Sequence, residues 1–241
     1  MTPYKARGIV LNTIKYGDTS VVACILTDLF GRTSYMVQGI RSGRGKGNRA
    51  ALLQPMFLLE YEGIPAVRSH MDRMKDVRLS PPLRSIPFDV RKSAISLFMA
   101  EVLYRLVRES QPDEALFGFV HDSVAALDVM ERGVANFHLW FLVKLSAFLG
   151  FYPSGRHSAS GYFDITEGAF VDYRPDHALV LEQQHAALLA DLMECDALSL
   201  GDIPLSHGVR SAFLTSLLAY FDYHLDSASR IKSIRVLGEM F

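Results

Sequence analysis

The chain of 241 residues predicts an α+β, multidomain protein: an N-terminal β-barrel of the OB-fold type, then a C-terminal α-helical bundle carrying a small hairpin insertion. Three observations carry that expectation. Apolar residues run in short, β-branched segments punctuated by Gly and Asp up to Pro81-Pro82, and at helical spacing from Asp89 onward. Charge divides at the same place: residues 1–80 hold twelve Lys and Arg against six Asp and Glu, a balance of +6, and the remainder balances at −7. With 49% hydrophobic and 21% charged residues, the composition suits packed cores and excludes wholesale disorder. The expected division is a barrel over residues 1–80 and a helical part over 81–241, with residues 151–175 as the insertion.

The first strand covers residues 5–16, with Ile9, Val10, Leu11 and Ile14, and stops at Tyr16-Gly17-Asp18. The second, 20–27, is rich in β-branched residues, and Asp28-Leu29-Phe30-Gly31 makes a tight connection to the third at 32–39. A fourth covers 54–62, and residues 71–79, polar and basic, read as an edge strand. Five strands in about eighty residues suit an OB-fold or an SH3-like barrel, and the strands alone do not separate the two. Helices follow over residues 89–106, with a stripe of Ile95, Phe98, Met99, Val102, Leu103 and Leu106, and over 114–130. Residues 135–149 are apolar almost all round, which marks the centre of a bundle, and Gly150 and Pro153 end that helix. Residues 161–164 and 168–171 form a short hairpin, and helices at 183–193 and 211–225 precede a basic tail.

Residues 39–51 hold Arg41, Arg44, Lys46 and Arg49, four glycines and no acid. A glycine-rich basic loop between strands suits phosphates, whose counterions are released on neutralisation, and it equally suits plain solvation. With Arg32 and Lys15 nearby, and Tyr16 and Tyr35 interleaved for stacking or for core packing, the barrel reads as a nucleic-acid binder. Phe30 reads as hairpin packing.

Enzyme motifs fail on their own terms. Gly45-x-Gly47-x-x-Ala50 has dinucleotide spacing, but Pro55 follows where a long helix belongs, and a P-loop would need Ser or Thr after Lys46. The eight histidines do not pair at metal-ligand spacing, and two distant cysteines, read as buried thiols, build no zinc site. No catalytic constellation, metal site or cofactor is expected. The opening residues lack a signal pattern and no run is long enough to span a bilayer, so a cytoplasmic, nucleoid-associated protein with no membrane contact is expected.

Lys5-Ala6-Arg7-Gly8-Ile9-Val10-Leu11, Tyr16-Gly17-Asp18-Thr19-Ser20, Phe30-Gly31-Arg32, Gly39-Ile40-Arg41-Ser42 and Leu53-Gln54-Pro55 resemble, in order and spacing, the RecO family of bacterial recombination mediators. The likeness is specific over residues 1–61 and looser afterwards, with Leu149-Gly150-Phe151-Tyr152-Pro153 in place of the family's Leu-Gly-aromatic stretch. The resemblance implies an OB-fold that binds single- and double-stranded DNA, annealing of complementary strands, and loading of recombinase together with RecR. It also implies a site on the helical part for the acidic, Phe-ended C-terminal tail of the single-stranded-DNA-binding protein. Arg132, Phe137, Trp140 and Lys144 are the candidates for that tail, an apolar groove rimmed by cations being what such a peptide needs. Lys144 equally suits a snorkelling side chain. Many members carry a four-cysteine zinc module after the Leu-Gly stretch. Residues 154–175 here contain no cysteine, so the hairpin is expected to be zinc-less and held by Tyr162, Phe163 and Phe170. Two other readings stand beside this one: a non-catalytic adaptor whose barrel binds a protein, and a nucleotide-dependent enzyme using the glycine loop.

Overall fold

The fold is taken from a computed structural model, which describes residues 2–38, 49–66, 71–108, 111–225 and 231–241. The chain forms two compact units, Met1–Asp128 and Val129–Phe241.

In the first unit, β1 (Tyr4–Tyr16), β2 (Ser20–Thr27), β3 (Gly31–Val37), β4 (Leu58–Ile64) and β5 (Arg73–Leu79) close a barrel in the order β1-β2-β3-β5-β4. β1 pairs antiparallel with both β2 and β4, and β5 joins β3 in parallel through Met36 and Arg73. That five-stranded closure is the OB-fold. Residues 71–79 are therefore not an edge: β5 is paired on both sides, and its polar pattern reflects an outer face in solvent. Val10, Ala23, Ile25, Tyr35, Val37, Leu59 and Tyr61 fill the interior.

The alternate positions point outward, and α1 (Val90–Leu106) packs on that side against β1. Ile9, Cys24 and Leu26 are buried there, so this part of the sheet is apolar on both faces. Asp89 caps α1, its carboxylate accepting from the Arg91 and Lys92 N–H groups at 2.8 and 3.4 Å. α2 (Glu114–Val129) is capped in the same way by Asp113, which accepts from the Leu116 N–H. At the far end of α2 the Asp128 carboxylate accepts from the N–H groups of Arg84, Ser85 and Ile86, at 2.7 to 2.9 Å. Burial pushes this carboxyl up, but the three N–H donors win and hold it below the usual range. The segment leaving the barrel is thereby tied to the end of α2.

In the second unit α3 (Phe137–Phe148) is buried nearly all round and packs against α4 (Gln183–Glu194) and α5 (His207–Leu225). The insertion is a three-stranded sheet: β6 (Tyr162–Asp164) lies between β7 (Ala169–Val171) and β8 (Val180–Leu181). Phe163, fully buried, meets Phe170 and Tyr220 edge to face, and Tyr162 accepts from Gln183, so aromatic packing holds this sheet. A short α6 (Ile234–Met240) lies where only a basic tail was expected. Cys24 is buried as expected, whereas Cys195 is half-buried. Among the described residues no helix is long and apolar enough to cross a membrane.

Candidate nucleic-acid interface

The outer face of β1, β2 and β3 has two halves. The half under α1 contains Ile9, Leu26 and Arg32, joined across the sheet by the pairings Ile9–Leu26 and Leu26–Arg32. Arg32 is a sequence candidate for DNA contact, but its guanidinium is spent inside the unit. Nη1 donates to the carbonyls of Tyr104 and Val107 at 2.7 and 2.6 Å, and the cation lies 5.0 Å from the centre of the Tyr104 ring. These are end-of-helix carbonyls of α1, which lack partners within the helix and favour a cation. Next to it Gly31 has φ of +60°, and a Cβ there would lie 2.1 Å from the Gln111 carbonyl oxygen. The Gly31-Arg32 part of the Phe30-Gly31-Arg32 signature is thus explained by the close approach of Gln111 and the end of α1 to the barrel. Phe30 meets Tyr4 edge to face at 4.9 Å.

The other half is open. Beyond an irregularity between Val10 and Asn12, β1 and β2 run on as a hairpin, with Ile14 55% and Tyr16 59% exposed. One outward row crosses the barrel through Ile14, Val22, Met36 and Arg73, ladder partner to ladder partner. Tyr16, two residues beyond Ile14, points the same way, because strand side chains alternate. Lys15 is exposed on the neighbouring row, which continues through Val21 to the inward-facing Val37, so it stands on the reverse of the hairpin from Ile14 and Tyr16. This half therefore offers an aromatic ring and aliphatic side chains with Arg73 at the end of the row.

Tyr35 does not belong to it. The ring is 0% exposed inside the barrel, its hydroxyl accepts from Tyr4 at 3.2 Å, and Tyr61 meets it edge to face. Burial pushes its hydroxyl pKa up. Parity is the physical reason: Tyr35 shares the inward set with Val37, whereas Ser34 and Met36 alternate outward. Arg41, Arg44 and Lys46 lie outside the described residues. Arg49 begins a 3-10 turn at Arg49–Leu53, and its side chain also lies outside the described residues.

The β1–β4–β5 side is electrically different. A cleft of about 450 Å³ is lined by Lys5, Arg7 and Arg78 together with Asp28, Glu60, Glu62 and Asp76. Arg7 Nε donates to Asp28 at 3.0 Å, and Arg78 pairs with Glu60. Hydrogen bonds from Ser80 and Arg78 lower the pKa of Glu60. Four carboxylates against three cations make this side a poor match for a polyanion.

The four tail candidates in the second unit are not brought together as a surface groove. Phe137 is 0% exposed in the core of its unit. Trp140 is buried and donates through Nε1 to the Cys195 carbonyl at 3.2 Å, and Lys144 Nζ donates to the Met193 carbonyl at 2.6 Å. Both cap the end of α4, so Lys144 is a helix-end partner and neither a groove rim nor a snorkelling chain. Arg132 alone is in the open, where it faces Asp202 at 3.6 Å. Position within an apolar run could have flagged Phe137 as core, but the capping roles of Trp140 and Lys144 depend on where α4 ends.

An OB-fold barrel followed by a helical unit, with one half of the barrel face clad by a helix and the other half open, defines the class. The family model described as "Recombination protein O N terminal" matches residues 1–82, and "Recombination protein O C terminal" matches residues 87–233. The chain is 36% identical over 239 residues to the DNA repair protein RecO of Bacteroides fragilis, covering 98% of each. It is 35% identical over 238 residues to that of Phocaeicola vulgatus and 32% identical over 238 to that of Flavobacterium psychrophilum, again covering 98% of each. The chain belongs to the RecO family.

Proposed function

We propose that this protein is a non-catalytic DNA repair and recombination mediator that grips DNA on the open half of its barrel face. The observation that carries the reading is the outward row Ile14–Val22–Met36–Arg73 with Tyr16 at its margin. Rings and aliphatic side chains stack on bases of any sequence, while flanking cations hold the phosphates. The basic segment with Arg41, Arg44, Lys46 and Arg49 leaves the barrel just after Val37, whose ladder row contains Lys15. It would add phosphate contacts of its own, as Lys15 would from the reverse of the hairpin. Neutralising two strands reduces their mutual repulsion, which is the physical basis for annealing complementary strands.

Family membership supports RecR and the acidic, Phe-ended tail of the single-stranded-DNA-binding protein as partners, with recombinase loading as the outcome. The mixed-charge cleft on the β1–β4–β5 side favours a protein partner at that place, so DNA and protein would use different sides of one barrel.

Titration of labelled single-stranded DNA at several salt concentrations tests the reading. The wild type should show a steep log–log salt dependence and little sequence preference. Changing Arg41, Arg44, Lys46 and Arg49 together to Ala should flatten the slope by about 3, near 0.7 per lost phosphate contact. An unchanged slope would remove the basic segment from the interface.

A further inference from the structure

Arg210, in the first turn of α5, has three hydrogen bonds that differ in kind. Nε donates to the Asn136 side-chain oxygen at 3.1 Å, and Nη2 donates to the Leu205 carbonyl at 2.8 Å. Asn136 is itself fixed, donating to the Ile203 carbonyl at 2.8 Å, so two of the three bonds belong to the body of the unit. The third runs from Nη1 to the Phe241 carbonyl oxygen at 2.8 Å. The Phe241 ring stacks on His138, centroids 6.0 Å apart and planes 18° apart. Arg210, His138 and Phe241, with Leu214, Ile234 and Leu237, surround a slot of about 50 Å³. His138 is buried, and burial with Arg210 nearby holds its pKa down to about 3, so the ring that Phe241 covers is neutral at neutral pH.

Phe241 is seated by a short segment with few anchors, Ile231 and Ser233 buried ahead of α6 and Leu237 within it. α6 has seven residues, of which only Leu237 is buried, and His207 reaches it through a long 3.4 Å contact to the Gly238 carbonyl. Segments with so little buried surface open at small free-energy cost. When this one lifts, Asn136 and Leu205 still aim the guanidinium, with Nη1 free to donate and the His138 ring uncovered.

We propose that this slot, rather than the surroundings of Phe137 and Lys144, receives the acidic, Phe-ended peptide, and that Phe241 occupies it in the free protein as a built-in competitor. The inference rests on the partner named under Proposed function and adds the location and the regulation of its site. The required chemistry is displayed by Phe241 itself: a flat ring on His138 and an oxygen acceptor on Nη1. A phenylalanine bearing a free carboxylate meets both demands, because a guanidinium donates most strongly to an ionised acceptor. Apparent affinity is reduced by the fraction of molecules in which the slot is open.

The test is fluorescence anisotropy with a labelled acidic nonapeptide ending in Phe, carrying either a free or an amidated carboxyl group, on the full chain. The variant Phe241→Ala should bind the free-carboxyl peptide about tenfold tighter than wild type, as expected where the slot is closed nine times in ten. Amidation should remove most of that gain, and it probes Arg210 without touching the fold. Arg210→Gln, with its thermal melt checked, should do the same. Equal or weaker binding by Phe241→Ala overturns the competitor. Peptide binding that ignores Phe241→Ala, Arg210→Gln and amidation alike overturns the slot while leaving the partner in place. No binding by any form overturns the partner reading as well.

Discussion

The two halves of the β1–β2–β3 outer face are built from the same strands and have opposite fates. Near Arg32 the outward residues are apolar and covered, and the cation is consumed by the carbonyl end of α1. Near Arg73 the outward residues are apolar and half-buried to exposed, and neither Arg73 nor Lys15, on the reverse of the hairpin, has an ion-pair partner among the described residues. A cation's place in the sequence therefore says little about its work, and what lies opposite its head group says much. The second unit repeats the lesson, since Lys144 and Arg210 both end on backbone carbonyls.

The sharpest way to break this contrast is Arg32→Met. It strands two helix-end carbonyls and removes a ring contact, and should destabilise the first unit by about 3 kcal/mol in a denaturant titration. DNA affinity measured well below the melting temperature should not change, and a loss of affinity with normal stability would reverse the assignment. Arg32→Lys should recover little, because one ammonium cannot reproduce a guanidinium stacked on Tyr104.

Acidification should act on the other unit by a similar amount. The folded pKa of His138, about 3, lies below the unfolded value of about 6.5. Below pH 6.5 the unfolded chain binds a proton that the folded chain refuses, so stability present at neutral pH is lost as pH falls toward 3. By about pH 4.5 the loss should be roughly 3 kcal/mol. His138→Phe should flatten that part of the pH–stability profile, and a profile identical to wild type would show that His138 accepts its proton without unfolding.

On the open half the expected effects are smaller and fall on binding. Tyr16→Ala should weaken single-stranded DNA by about 1 kcal/mol, and Lys15→Ala should lower the salt slope by about 0.7, with melting temperatures unchanged. Smallest of all, Arg132→Ala should shift stability by no more than about 0.5 kcal/mol, since both it and Asp202 are mostly exposed.

Much of the fold was readable from the sequence because period and punctuation were strong. β2 over residues 20–27 and α2 from Glu114 follow directly from them. β8, of two residues, and α6, of seven with a glycine inside, are too short to show a period. Half of the candidate site was legible in the same sense. The exposed hairpin end with Lys15 and Tyr16 follows from strand length and turn chemistry. Of the two readings of Tyr35, stacking or core, strand parity selects the core; Arg32 is spent because only the folded chain brings Tyr104 and Val107 to it, and Arg73 was hidden in a strand read as an edge.

The reach of Asp128 back to residues 84–86 has a practical corollary for dissecting the molecule. A fragment stopped at residue 80 would expose Leu26, Cys24 and an unsatisfied Arg32 to water and invite self-association. One stopped at 128 keeps the strap, both helices and the clad half of the sheet together, and is the better size at which to look for autonomous folding.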